Sequence, residues 1–342
     1  MTDQFSAAIV GCNGLVLSKV EQDLFAEARP WGLILFQRNC QTSEQVSALT
    51  SKFREVTKAP NAPVFIDQEG GRVARLKDPE WRSYPPPGLF GDMFAREPQI
   101  GCEAAHLNAQ IQAAELRPLG ITVNCVPMAD VRQPMSHKII GDRAYGDTPE
   151  NVIALARAVA EGAMAGGVLP VVKHVPGHGR ALSDSHDELP RVDASREDLV
   201  EVDFTPFRAL KDLPMFMTAH VLYTAYDSDQ PATTSPIIIE EVIRGEIGFD
   251  GLLLSDDLSM NALEGSLAER TERSLAAGCD IALHCNGDID EMREVLAHAG
   301  SLAGRAAERA DATLAILPDF QEYNVEYALS RRDAQIAMMG AR

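Results

Sequence analysis

The amino-acid sequence predicts an α/β chain folded as a single-domain (β/α)₈ barrel of the TIM type. Eight short runs of Val, Ile and Leu recur without polar alternation, stretches of helical spacing lie between them, and charged or imidazole side chains stand just past the runs. The runs cover residues 7–12, 32–36, 63–67, 121–126, 168–173, 214–219, 251–255 and 279–284. Unbroken apolar runs suit strands covered on both faces, as parallel strands are. Helical spacing begins at Ser43 and recurs over 100–116, 148–165, 195–210, 235–247, 263–277 and an alanine-rich 289–314. Several of these open on Ser or Thr, whose hydroxyl can accept from the free N–H groups of a first turn. A doubly wound open sheet is the competing fold. It needs a phosphate-cradling glycine loop after an early strand, and Ile9-Val-Gly-Cys-Asn-Gly14 approximates one poorly.

The chain has 342 residues, enough for a barrel of about 250 with loop insertions. Residues 1–318 are expected to form the barrel, and the mixed, polar residues 319–342 a C-terminal arm or frayed end. Lys and Arg total 31 against 50 Asp and Glu, a net charge of −19, which argues against a nucleic-acid surface. The six cysteines include no Cys-x-x-Cys pair, and Cys125 and Cys279 sit in or beside apolar runs, so a reducing compartment is expected. The N-terminus lacks the basic start and apolar stretch of a signal peptide, and no apolar run nears the roughly 20 residues that span a bilayer. The expected location is the cytoplasm, with neither a membrane nor a nucleic acid as partner.

In a barrel the working residues stand at the carboxyl ends of the strands. Those ends carry Gln37-Arg38, Asp67, Asp130, Lys173-His174, His220, Asp256-Asp257 and His284. In 242–260 a helix, a glycine turn and an apolar strand deliver Asp256 rigidly to the barrel mouth, while Asp257 or Ser259 suits an N-cap for the next helix. The stretch 173–190 holds three Gly or Pro at 176–179, which forbids regular structure. Its histidines and Asp184 invite a metal reading, but no cysteine or second carboxylate pairs at zinc-site spacing, so no metal or other cofactor is expected. Asp184 and His186 project from the same side of an extended segment, where the carboxylate can orient the imidazole and favour its protonated form. In 65–75, Asp67 at a strand end precedes two glycines and the pair Arg72 and Arg75. A turn with surface cations explains Arg72 alone. His106 and His298 fit helix surfaces, His137 and His178 are left unassigned, and His220 and His284 either line the site or fill the barrel mouth.

The run Val242-Ile-Arg-Gly-Glu-Ile-Gly-Phe-Asp-Gly-Leu-Leu-Leu-Ser-Asp256-Asp-Leu-Ser-Met resembles the signature of glycoside hydrolase family 3. Lys173-His-Val-Pro-Gly-His-Gly-Arg-Ala-Leu-Ser-Asp184-Ser-His186 resembles, within that family, the loop of the single-domain bacterial β-N-acetylglucosaminidases (β-hexosaminidases) of peptidoglycan recycling, with Val175 where Phe is usual. The resemblance spans about residues 5–318. It implies Asp256 as nucleophile and the Asp184/His186 pair as acid and base. It implies substrate contacts from Asp67, Arg75, Lys173, His174 and the Arg143 of Ile140-Gly-Asp-Arg143-Ala-Tyr-Gly. The implied activity is exo-hydrolysis of terminal β-linked N-acetylglucosamine, from muropeptide fragments such as N-acetylglucosaminyl-1,6-anhydro-N-acetylmuramic acid. Two other classes stay open: a barrel lyase or aldolase using Lys173 as a Schiff-base amine, and a non-catalytic sugar-binding barrel.

Overall fold

The computed structural model describes residues 5–318 and 323–340. Eight parallel strands close in chain order: β1 (Ser6–Val10), β2 (Pro30–Leu35), β3 (Val64–Ile66), β4 (Val123–Asn124), β5 (Leu169–Val175), β6 (Met215–Thr218), β7 (Leu252–Asp257) and β8 (Ile281–His284). The last strand pairs with the first, Ala8 beside Ala282 and Ile9 beside Leu283. Each strand falls on one of the eight apolar runs. The runs lack polar alternation because both faces are covered. Ile9, Ile34, Phe65, Val171, Leu254 and Leu283 fill the barrel, while Val10, Leu33, Leu35, Val64 and Ile66 pack outward under the helices.

The outer layer holds α1 (Lys19–Ala28), α2 (Ser43–Thr57), α3 (Pro87–Arg96), α4 (Pro98–Leu116), α5 (Pro149–Ala165), α6 (Arg196–Asp198), α7 (Phe204–Ala209), α8 (Leu267–Ala277), α9 (Ile289–His298) and α10 (Gly304–Ala315). A π-wound segment, Ile237–Glu246, precedes β7. Two predicted helices divide. Residues 195–210 become α6, a π-wound turn Leu199–Asp203 and α7. The stretch 289–314 breaks at Gly300, whose φ of 63° no helix tolerates, and Ser301 there bridges Ser6 of β1. The helix expected from 263 starts at Leu267, where Ser266 accepts from the Glu269 N–H in a capping box. Neither α1 nor α3 was expected. The first buries only Glu21 and Phe25, too thin a stripe to register, and the second follows Pro85 and Pro86, which read as loop.

Of the expected arm, 319–322 and 341–342 lie outside the described residues. The remainder carries α11 (Val325–Gly340), which lies along α4. Ala328 is buried against Tyr84 and Ile111, and Arg332 donates to Asn108 Oδ1 at 2.9 Å. No helix among the described residues is long and apolar enough to cross a membrane.

Candidate active site

Side chains two residues apart on a strand share a face. Phe65, Val171 and Leu254 point into the barrel, so Asp67, Lys173 and Asp256, each two residues further on, turn into its mouth. There they line a cavity of about 240 Å³ together with Arg75, Arg143, His174 and His186. The structure thus gathers seven of the eight sequence-predicted site residues around one cavity. The eighth, Asp184, stands behind His186.

The cations are paired before any ligand arrives. Lys173 Nζ donates to Asp67 Oδ1 at 2.9 Å and lies 2.7 Å from Glu69 Oε1. Arg143 grips Glu69 with two bonds of 2.8 Å, and Arg75 donates to Asp67 Oδ2 at 3.0 Å with its guanidinium 4.8 Å from the Phe36 ring centre. Burial opposes charge on Asp67, Glu69, Lys173 and Arg143, yet opposite neighbours win. Glu69 is held at about 2 by Arg143 and Lys173, and Asp67 lies well below the usual carboxylate range. Burial would also lower Lys173, but Asp67 and Glu69 drive it upward, so its amine stays protonated.

Asp256 is 8 % exposed. Its Oδ1 accepts the Asp257 N–H at 2.8 Å. Burial pushes its pKa up, but His174, then His220, the Asp257 N–H and Lys173 outweigh it, so the carboxyl lies below its ordinary range. A tight approach fixes the entry to β7: a Cβ on Gly251 would come within 2.7 Å of the Pro214 carbonyl. Asp257 caps no helix. It accepts from the N–H groups of Ser259 and Cys285 and so ties the end of β7 to that of β8. His220 and His284 fill rather than line. His220 bridges Thr233 Oγ1 and the Asp257 carbonyl at 2.7 and 2.9 Å, and His284 Nε2 lies 3.1 Å from Asn286 Oδ1. Arg38 donates to the carbonyls of Cys12 and Cys285. Arg72 clamps the carbonyls of Lys138 and Ile139 in the segment leading to Arg143, a larger role than a surface cation.

The loop after β5 has two halves. Residues 174–179 and Ala181 are buried: Tyr223 donates to the Gly177 carbonyl, Arg180 to Asp203, and Ser136 to the Gly179 carbonyl. Gly179 passes so close to the Val131 carbonyl that any Cβ would collide. Beyond it, Leu182 is 63 % exposed and the His186 side chain 60 %. Asp184 Oδ1 meets both the His186 N–H, at 2.9 Å, and His186 Nδ1, at 2.8 Å, so one carboxylate fixes the backbone and ring together. His186, foremost through these bonds, offsets the effect of burial and holds Asp184 below its ordinary range. No cluster of metal-ligating side chains lies among the described residues.

A sequence profile of the glycosyl hydrolase family 3 N-terminal domain matches residues 12–314. The chain belongs to this family. It is therefore a glycoside hydrolase. Over 282 residues it is 40 % identical to a Beta-hexosaminidase of Alkalilimnicola ehrlichii, covering 81 % of this chain and 80 % of that one. It is 37 % identical to a Beta-hexosaminidase of Chromobacterium violaceum, over 84 % and 82 %. Among solved structures, NagZ from Neisseria gonorrhoeae in complex with N-trifluoroacetyl-D-glucosamine superposes with a TM-score of 0.82 at 28 % identity, over 97 % of this chain and 98 % of that one.

Two residues of this family 3 hydrolase escape sequence reasoning. Glu69 sits in the 65–75 stretch without an evident task, and its partner Arg143 lies 74 positions away, beyond any spacing rule. Asp130 is legible only as one more strand-end charge. The available signal is the same for both: an acidic residue beside an apolar run needs a partner if buried.

Proposed function

We propose that the chain is a retaining exo-β-N-acetylglucosaminidase. Asp256 attacks the anomeric carbon, the glycosidic C–O bond breaks, and His186, held by Asp184, gives its proton to the leaving oxygen. Water then attacks the same carbon while His186 takes up its proton, and Asp256 leaves as a carboxylate. An imidazole in this place departs from the usual pair of carboxylates. Asp67, Arg75, Arg143, Lys173 and His174 hold the sugar, and neither metal nor organic cofactor is required.

The observation that carries the reading is Asp256: a buried carboxylate kept ionised in a cavity whose cations already have other partners. It is thus free to act as a nucleophile. The cavity, at about 240 Å³, is smaller than the roughly 300–1,000 Å³ of sites for drug-sized ligands, which suits one terminal sugar. The relatives' name and the Neisseria complex with an N-acylated glucosamine support the amino sugar. The proposed substrate is a muropeptide fragment, N-acetylglucosaminyl-1,6-anhydro-N-acetylmuramic acid with or without peptide, met in the cytoplasm during cell-wall recycling. A Schiff base on Lys173 is disfavoured because its amine is protonated and doubly ion-paired.

Incubation with a slow 2-acetamido fluoroglycoside followed by peptide mass spectrometry tests the mechanism. A label on Asp256 and a product of retained configuration are expected. Label on another residue, or inversion, ends the proposal.

A further inference from the structure

We infer that Asp130 is a positioning residue, which sets the imidazole of His174 with Nε2 toward the sugar and ties the root of the loop bearing Asp184 and His186 to the same carboxylate. The inference rests on reading the cavity as a sugar site. Asp130 is fully buried and lies outside the cavity wall, so it touches no substrate. A buried carboxylate costs several kcal/mol unless donors surround it, and Asp130 has three. Its Oδ2 lies 2.8 Å from His174 Nδ1, and its Oδ1 accepts the N–H groups of His174 at 3.3 Å and His178 at 2.6 Å. Burial would raise its pKa, but His174 and then the His178 N–H hold it down, so the group is a carboxylate.

A carboxylate only accepts, so His174 Nδ1 carries the hydrogen. With the proton on Nε2 instead, two lone pairs would face each other across 2.8 Å. Nε2 is therefore left as an acceptor in the neutral ring and a second donor in the charged one. His174 lines the cavity and is foremost among the groups that keep Asp256 ionised, so its tautomer sets what the sugar and the nucleophile meet. The other oxygen of Asp130 reaches the loop. His178 is the residue just before Gly179, which packs on the carbonyl of Val131, next to Asp130 in the chain. One buried group thus orders a sugar-facing ring and the base of the loop that carries the proposed acid.

Long-range proton–nitrogen NMR of the imidazole rings, at a pH that leaves them neutral, tests this without substrate. The His174 signal, identified by its loss in His174→Gln, is expected as the Nδ1–H tautomer. An Nε2–H tautomer in the unaltered protein overturns the inference, whether or not Asp130 variants fold. In Asp130→Asn the amide oxygen can keep the backbone donors while its NH₂ faces His174, so the ring is expected to switch to Nε2–H. Turnover of 4-nitrophenyl N-acetyl-β-D-glucosaminide is expected to fall on the order of 10–100-fold in kcat/KM, and Asp130→Asn combined with His174→Gln to be no worse than His174→Gln alone. Losses that multiply would mean that Asp130 acts on the fold and not through His174, and would also overturn it. The ring measurement stands even if the amino sugar proves to be the wrong substrate, so failure of that reading is separately visible.

Discussion

Asp67, Glu69, Lys173 and Asp256 stand at or just past strand ends, Asp67 half-buried and the others buried. The first three are ion-paired across strands, while Asp256 accepts from the next N–H of its own strand and has His174, His220 and Lys173 as charged neighbours. His186 stands on the outer half of a loop, its side chain 60 % exposed, with Asp184 two residues away as its polar partner. The two sets of groups face one cavity and are built by opposite means. Groups that hold a ligand or meet charge developing on it gain from preorganisation, since nothing then has to reorient during reaction. A group that must give a proton, regain one from water and meet leaving groups of different size gains from access and from a segment that opens at little cost. The cost of the first arrangement is a wall of coupled ion pairs. The cost of the second is that the ring of the proposed proton carrier has only its near neighbour Asp184 as a polar partner.

The contrast can be broken by removing one group from each side. Asp256→Ala is expected to cost about 10⁴-fold or more in kcat and to abolish the trapped intermediate, with an unchanged far-ultraviolet circular dichroism spectrum. A mild loss would move the reacting carboxylate elsewhere. On the loop, His186→Ala is expected to slow sugars with poor leaving groups on the order of 10²–10³-fold, yet activated aryl glycosides far less, because their departure needs no proton. Asp184→Asn should give a weaker version of the same pattern. Equal losses on both substrate types would give His186 a positioning task and erase the distinction.

Glu69→Gln sharpens the contrast from the buried side. Arg143 and Lys173 lose their shared anion, so KM is expected to rise on the order of tenfold with a smaller change in kcat. Glu69 is depressed from 4.5 to about 2 in the folded chain. A carboxyl lowered by folding stabilises the fold above its unfolded value and loses that contribution as pH falls through its folded one. Stability on the order of 3 kcal/mol should therefore be present above about pH 4.5 and drain away toward pH 2, and Glu69→Gln should lack that slope. Urea unfolding at several acidic pH values checks this, and parallel curves for the two proteins would show that Glu69 contributes no such pairing.

The smallest expected effect separates the halves of the loop. Amide exchange should be slow at 174–181 with or without a bound inhibitor, and fast at 182–188 until an inhibitor slows it. The sequence makes the whole of 174–190 look free, with only Val175, Ala181, Leu182 and Leu189 to dock it. In the fold Val175 and Ala181 are buried while Leu182 is not, which limits the opening segment to the outer half. Uniform protection across both halves would mean a preformed site throughout.

Much of this protein was legible before folding because its main signals are local. Eight apolar runs at helix-length intervals specify a barrel, since parallel strands must be covered on both faces and joined by crossovers. Residues such as Asp67, Lys173 and Asp256 stand where each run ends, and the strand ends of a barrel share one mouth. Three things were not legible. A run that is apolar on both faces does not say which side points inward, so the alternation that turns Asp67, Lys173 and Asp256 into the cavity exists only once the barrel closes. The pairing of Glu69 with Arg143 and Lys173, and of Asp130 with His174, joins residues 44 to 104 positions apart, and no local rule carries over such distances. Nor does a stretch of glycine, proline and polar residues say how much of it docks. That depended on Asp130, Asp203, Tyr223 and Ser136 arriving from other parts of the chain to hold the first half of the loop. In the second half, 182–188, Ser185 alone is buried, its carbonyl accepting the Ala262 N–H, and His186 stays exposed.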